Sequence, residues 1–567
     1  MTDTRPAPTT TKPRIDALVS ARFGWRRLSA GDRVFWFRGH VRDRSDDALA
    51  AEAAALSRAD IASWLDGLDG HFALILTGPE WSLAVVDPVR SSPLIWAQRD
   101  DVIYVTHDGP RLRDTLGLGP DDIDIAQGDA FAMGGFTIGG ATLYGAIRQL
   151  IPGTFLLAAP DTPCTIGTYH TWRPRPPLEC DPDDLAASLS RLHENLIERL
   201  IADAAGRPIL VPLSAGLDSR LLASGLAAAG YDNVHCIAYG RAGNREAVVS
   251  RQIAQRLGYR WSFVPYTNPT VRDACASEDH RAYEAYADSF TAIPFPQDYF
   301  ALITLRERGD LPADTLVVNG QSGDFTSGNH IPESLIGHAG GSDESRMMRV
   351  LGTLVAKHFK HCPGLATDER MARIHSLLTS EIMAAGGLPE NPEDDYGVYE
   401  RSEFVDRQAK YVINGQRLYE YLGLDWRLPL WERPNLDFWE RAPLSAKASQ
   451  SLYREVLERD NWAGVWRDIP VNPMRIRPVS LMIVRQIAKI LHAPLGAERW
   501  HDFERRYFTY WMAPLCSYAP WPYRRIALDR RNFYSAIGWY IEAYLNRHGY
   551  DLSGARNAIR RQLDHLN

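Results

Sequence analysis

Residues 209–226 read Ile-Leu-Val-Pro-Leu-Ser-Ala-Gly-Leu-Asp-Ser-Arg-Leu-Leu-Ala-Ser-Gly-Leu. An apolar run of strand length stops at a turn of small residues and gives way to helical spacing of leucines. A strand feeding a helix through such a turn exposes the backbone N–H groups of Ser214 to Ser219 at a helix N-terminus, where an anion is favoured. Asp218 sits in the same turn and would repel a phosphate unless a cation lay between them. No Lys follows the last Gly, so this is not a Walker loop. An ordinary strand-to-helix turn built from small residues is the alternative at this point.

Length and composition set the frame. At 567 residues the chain is expected to hold two to four domains of ~150 residues each. A content of 45% hydrophobic and 23% charged residues is that of a globular protein. The net charge of −7 gives no general attraction to nucleic acid. The six cysteines (164, 180, 236, 275, 362 and 516) form no CxxC pair, so neither a zinc site nor a disulfide framework is indicated and a reducing cytoplasm is expected. The polar, Pro/Thr-rich start carries no secretory pattern. No stretch reaches the ~20 apolar residues of a membrane helix.

The pattern changes along the chain. Residues 1–14 read as a disordered arm. Over 15–175, strand-like runs such as 33–38, 72–76, 81–86 and 102–105 are cut by Gly, Asp and Pro, which predicts a β-rich domain with few helices. Trp172-Arg173-Pro174-Arg175-Pro176-Pro177 reads as a linker. From 183 to 460 the pattern alternates: a helix at 184–204, the strand at 209, a helix, a strand at 234–239, a helix at 245–257 and a strand at 261–264. That alternation predicts a doubly wound parallel sheet with ligands at the carboxyl ends of its strands. Beyond 345 the chain is mostly helical, and 461–567 forms an extension dense in aromatics and Arg, including Trp500, Tyr510, Trp511, Tyr518, Trp521, Arg505, Arg506, Arg524 and Arg525. Helix packing with snorkelling Arg accounts for that density; sugar stacking and anion binding are the functional alternative.

Three separated segments resemble the asparagine synthetase superfamily. Ser214–Ser219 is similar to its Ser-Gly-Gly-Leu-Asp-Ser signature, the PP-loop of ATP pyrophosphatases. Val318-Asn319-Gly320-Gln321-Ser322-Gly323-Asp324 is similar to its Leu-Ser-Gly-Glu-Gly-Ala-Asp segment, and Asp425-Trp426-Arg427-Leu428-Pro429-Leu430-Trp431-Glu432 to its Glu-Ala-Arg-Val-Pro-Phe-Leu-Asp segment. Leu68–Ala73, Asp87–Leu94, Leu143-Tyr144 and Leu150–Gly153 resemble the family's glutaminase-type domain. The resemblance covers roughly 30–460. It implies an Ntn-hydrolase-like αββα domain followed by a HUP-like synthetase domain. The chain departs from glutamine-using members: Thr2 stands where they carry the nucleophilic Cys, and Phe37-Arg38-Gly39-His40-Val41 replaces their Asn-Gly-Glu-Ile-Tyr-Asn segment. A degenerate first domain without glutaminase activity is therefore expected.

What the resemblance implies is ATP-dependent adenylation of a carboxylate, with release of pyrophosphate and transfer of ammonia or an amine. Asp218 and Asp324 match the family's Mg²⁺-binding carboxylates. Ser214, Gly216 and Ser219 would hold the pyrophosphate. Gly320 would let ribose or acyl group approach the backbone, and Leu213 and Ala238 would line the adenine pocket. Glu246 matches a further acidic position, and helix caps or solvated carboxylates remain the plainer alternative for all three acids. Arg427 and Glu432 are a catalytic or a structural pair. Lys447 is the nearest candidate for the family's catalytic Lys, because Gln450 or Ser451 falls at the expected place.

Asn319–Phe325, Ser327–His330 and Ile413–Arg417 have the character of members associated with bacterial surface polysaccharides, which implies a sugar uronate as acceptor. Arg417 and Arg427 are the candidates to grip its carboxylate. The expected partners are thus a small carboxylate or sugar substrate and a separate amine or ammonia donor, with no nucleic acid; a homodimer is compatible. A lasso-type macrolactam cyclase acting on a peptide and a non-catalytic nucleotide-binding scaffold are the alternatives.

Overall fold

The computed structural model describes residues 14–552 except 161, 178–180, 338–339, 472–478, 513–520 and 530–535. Thr2, Tyr518, Cys180, Cys516 and the expected arm, save Arg14 at the start of a strand, lie outside the described residues. The described chain is a mixed α/β molecule with three sheets and many helices. No helix among them is long and apolar enough to cross a membrane.

Two of the sheets belong to the first part of the chain. One has six antiparallel strands in the spatial order 162–168, 154–159, 82–86, 70–77, 33–41 and 26–30. The other pairs 14–17, 102–106, 95–99 and 148–149. The period of two explains why they stack. Along 70–77, Phe72, Leu74 and Leu76 face one core, with the helices 46–55 and 61–66, while Ala73 and Ile75 face the other, with Ile103 and Val105 of the second sheet. Both faces of the strand are covered, which is why it reads as a continuous apolar run.

The first part holds more helix than its sequence suggests, with α-helices at 46–55, 61–66, 109–116 and 125–134. Asp46–Ala55 is alanine-rich and buries only a narrow stripe of Leu49, Ala50 and Ala53. Ile125–Gly134 is buried over nearly its whole length. Neither shows the one-sided apolar period by which an amphipathic helix is recognised.

The third sheet is wholly parallel, in the order 260–265, 234–240, 209–212, 316–318 and 425–427. The order reverses between 209–212 and 316–318, so the crevice beyond their carboxyl ends is where a ligand is expected in such a sheet. Helix 182–204 leads into the sheet, and helices 218–228 and 245–257 follow its first two strands, as expected from the alternation.

Trp172–Pro177 is a docked strap and not a free linker. Trp172 is fully buried in the parallel-sheet core, beside Phe325 and Phe404, and the backbone N–H groups of Arg173 and Arg175 donate to Glu440. The strap thus spends its donors on the part of the chain that follows it.

The two halves are joined through buried charge. Glu420, on the helix Gln416–Tyr421, pairs with Arg38 of the six-stranded sheet and with Arg417 at 3.3 Å, and accepts the hydroxyl of Tyr286 at 2.7 Å. Replacing Glu420 by Ala strands two buried guanidiniums without a counter-charge. That costs about 3–5 kcal/mol and should appear as an early unfolding step in urea; an unchanged transition would show that the junction does not depend on this carboxylate.

Candidate functional site

A cleft of about 510 Å³ opens at the carboxyl ends of the strands 209–212 and 316–318. Two loops approach each other there. Ser214 Oγ lies 3.1 Å from Ser219 Oγ and accepts the N–H of Gly216, so the first loop is folded by its own hydroxyls. Arg220, fully buried, braces it from behind: its guanidinium donates to the carbonyls of Ala215, Ile469 and Pro470. The second loop carries Gly320 and Gly323. A Cβ at Gly320 would lie 2.6 Å from the backbone N of Ser219, and one at Gly323 would lie 2.7 Å from Asp218 Oδ1. Only glycine allows loops to meet this closely. Gly320 is therefore required by its own protein's backbone.

The approach sets Asp218 and Asp324 against each other. Asp218 Oδ2 accepts the Asp324 N–H at 3.0 Å, and Oδ1 accepts the Tyr453 hydroxyl at 3.1 Å. Burial, then the charge of Asp324, pushes the Asp218 carboxyl up to about 8. Burial also acts on Asp324, but the hydrogen bond and charge of His330, with Arg407 behind, outweigh it and hold this carboxyl below the usual range. His330 Nε2 sits 3.1 Å from Asp324 Oδ2, and its Nδ1 meets Glu403. Burial opposes the imidazolium, yet these two carboxylates raise His330 to about 9.

Glu403 is a hub. It accepts the Tyr399 hydroxyl at 2.7 Å and the Gln408 amide at 3.0 Å, and it faces His358 at 3.2 Å and Lys357 at 3.4 Å. It stands next to a π-helix of nine residues, Phe404–Val412, which puts Arg407, Tyr411 and Val412 on the cleft wall. Such wide turns recur at functional sites. Arg407 donates no hydrogen bond among the described residues; its nearest acid is Glu403, at 3.9 Å. Arg454, exposed on the helix Ser451–Asp460, also lines the cleft.

The residues singled out from sequence divide into two groups. Ser214, Gly216, Asp218, Ser219, Glu246, Gly320 and Asp324 all line the cleft. The others do not. Leu213 and Ala238 are buried in the sheet, and Pro212, Ser214 and Tyr239 take the wall positions beside them, as strand alternation requires. Lys447 is buried in an ion pair with Glu400 at 2.7 Å, under Trp172. Arg427 donates to Asp203 at 2.7 Å and faces a separate cavity of about 380 Å³ with Arg38 and His40. It shares a network with Glu432 only indirectly, since Arg42 bridges Asp203 to Glu432 and Glu432 binds Arg199. Arg417 is buried and spends its donors on Tyr286 O and Glu420. Of the aromatic extension, Trp500, Tyr510 and Trp539 are buried, and Arg525 lies over Trp521 and Trp539, which is packing. Arg407 and Glu403 carried no sequence signal of their own, whereas His330 lay in a segment noted for its character without a role.

The carboxylate pair suits a divalent cation of one kind. No group of three or more His, Cys, Asp or Glu among the described residues could hold a metal alone. Two hard oxygen donors facing an open cleft fit Mg²⁺, which takes one or two carboxylates and completes its shell with water and phosphate.

No model of a known protein family matches the chain, and no curated protein does. Among solved structures it is similar over 53% of its length to a glutamine phosphoribosylpyrophosphate amidotransferase from B. subtilis complexed with ADP and GMP, at 11% identity and a TM-score of 0.18. The match spans 59% of that protein's length.

The raised Asp218 carboxyl has a consequence for stability. An unfolded Asp ionises near 4. Folding therefore favours the protonated form, and stability falls as pH rises from about 4 to about 8. Without divalent cations, Asp218→Asn, which cannot ionise, should melt higher than the parent above pH 8, with the gap closing toward pH 4. A gap independent of pH would contradict this assignment.

Proposed function

We propose that the chain is an ATP-dependent amide synthetase that adenylates a carboxylate, releases pyrophosphate and passes the acyl group to ammonia or an amine. One observation carries the reading: two mutually repelling carboxylates, Asp218 and Asp324, stand at the reversal point of a parallel sheet beside a loop of small residues at a helix N-terminus. The three motif segments named above supply the family, and with it an Ntn-like first domain over 15–175, a HUP-like synthetase domain over 183–460 and a helical extension beyond. A surface-polysaccharide uronate is the acceptor the motifs favour, in a cytoplasmic setting.

In this reading Asp218 and Asp324 would hold Mg²⁺, which supplies charge neutralisation at the triphosphate. The loop amides and the hydroxyls of Ser214 and Ser219 would orient the β- and γ-phosphates for departure. Arg454 would take the phosphate-facing place on the opposite wall, a role that Lys447 cannot fill while bound to Glu400. His330, cationic at neutral pH between two acids, would hold Asp324 ionised. Tyr239, Gln297 and Asn319 on the far wall would offer hydrogen bonds to the base and ribose.

The engagement of Lys447 by Glu400 favours a second reading, a nucleotide-binding scaffold without turnover. Exchange of labelled pyrophosphate into ATP separates the two. The synthetase exchanges only with its carboxylate present, and Asp218→Asn or Asp324→Asn lowers the rate by ~10²-fold or more. Release of ADP and orthophosphate would end the synthetase reading, and ATP binding without any exchange would support the scaffold.

Nitrogen is expected from ammonia or a separate donor. With ammonia supplied, Thr2→Ala should leave product formation unchanged, and the purified chain should release no glutamate from glutamine. Glutamate release that disappears in Thr2→Ala would restore the glutaminase role.

A further inference from the structure

A second cavity, of about 270 Å³, adjoins the cleft and shares His330, Arg407, Tyr411 and Ile537 with it. We infer that this cavity is the acceptor subsite and that it takes a monomer-sized polar carboxylic acid, gripped by Arg407 and Lys357. The inference rests on the synthetase reading of the adjoining cleft and names its substrate class.

The charge of the lining is the first argument. Lys357, Arg407 and three histidines line the cavity, and no acidic residue does. In a chain of net charge −7 this is a local reversal. The nearby acids are already engaged: Glu403 by Tyr399, Gln408 and the two histidines, Asp324 by His330.

Unspent donors are the second argument. Arg407 donates to no group among the described residues, although it stands on the wall common to both spaces. A guanidinium in that position is free to make the paired contact that carboxylates accept. Lys357 gives two of its protons, to His330 O at 3.0 Å and to Glu403 at 3.4 Å, and keeps a third. The reacting carboxylate would then lie at the mouth, toward His330 and the cleft.

The deeper lining selects the rest of the molecule. Burial pushes His361 down to about 4 and lowers His358, so both are neutral imidazoles, suited to hydroxyl or amine groups. Phe136 and Ile293 close the other side. The volume is at the small end for ligand sites, which admits one sugar acid or amino acid and excludes a peptide chain. Gly134–Phe136 of the first part of the chain also line the cavity. The first domain would thus be retained because it completes the acceptor pocket.

The test is calorimetric binding to the full-length chain, with glucuronate, galacturonate, aspartate and an Asp-containing octapeptide as probes and Mg·ATP titrated separately. At least one monomeric acid should bind. Arg407→Ala should weaken it roughly ten- to hundredfold and Arg407→Lys less so, while Lys357→Met, which lines only the second cavity, should leave Mg·ATP affinity within about twofold. Lys357→Met, a change at an exposed side chain, should weaken the same acid and provides the test if Arg407→Ala does not fold. Binding of the octapeptide alone, of none of the probes, or acid binding indifferent to both substitutions would overturn the subsite. So would loss of Mg·ATP affinity in Arg407→Ala with acid affinity kept, which would give Arg407 to the triphosphate. None of these results touches the pyrophosphate-exchange test of the cleft, so the two readings fail separately.

Discussion

The contact between the Asp324 N–H and the Asp218 carboxylate organises the molecule's centre. It closes two loops from separate strands over one another, and it does so only because Gly320 and Gly323 lack a Cβ. The price is that two acids share a small volume. The structure meets it in two ways: Asp218 holds its proton up to about pH 8, and Asp324 leans on His330. Burial and mutual repulsion make this a costly pair, and carboxyls perturbed in this way cluster at functional sites.

The support for this contact spreads outward by hydrogen bonds. Asp324 leads to His330, His330 to Glu403, and Glu403 to Tyr399, His358 and Gln408. Gln408 returns to Ser322 at 2.9 Å, which closes a ring around the second loop. The π-helix that carries Gln408 is in turn fastened to the first part of the chain. Arg90 donates to Ala409 O, Lys410 donates to Thr137 O at 2.6 Å, and Asp406 accepts the Gly139 N–H at 2.8 Å. A wide helix is a poor structure on its own, and these three contacts from the first part of the chain help to hold it. The first part of the chain therefore reaches the cleft mechanically, through the wall that presents Arg407 and Tyr411.

Much of the architecture was legible from local pattern. The helix 245–257 and the strand starting at 234 fall where period and turn residues put them. The helices 46–55 and 125–134 were not legible, because alanine-rich and wholly buried segments carry no one-sided apolar stripe. Nor was the docking of Trp172, since a Pro-rich stretch looks the same whether its donors meet water or Glu440.

At the site, short-range chemistry was written in the chain: a strand end, small residues, a carboxylate at a helix start, and glycines where two backbones must meet. The choice among cations was not. Arg407, Arg417, Arg427, Arg454 and Lys447 are alike in a linear text, each a long side chain with a positive end. Which of them faces the cleft depends on acceptors far away in sequence: Asp203 takes Arg427, Tyr286 O takes Arg417, and Glu400 takes Lys447. Arg407 and Arg454 are left facing the cleft because no described residue within hydrogen-bond reach accepts from them. The sequence alone determined that two strand-end loops carry acids and glycines; only the tertiary structure decided which positive charges would answer them, because a buried charge goes to whichever partner folding brings within reach.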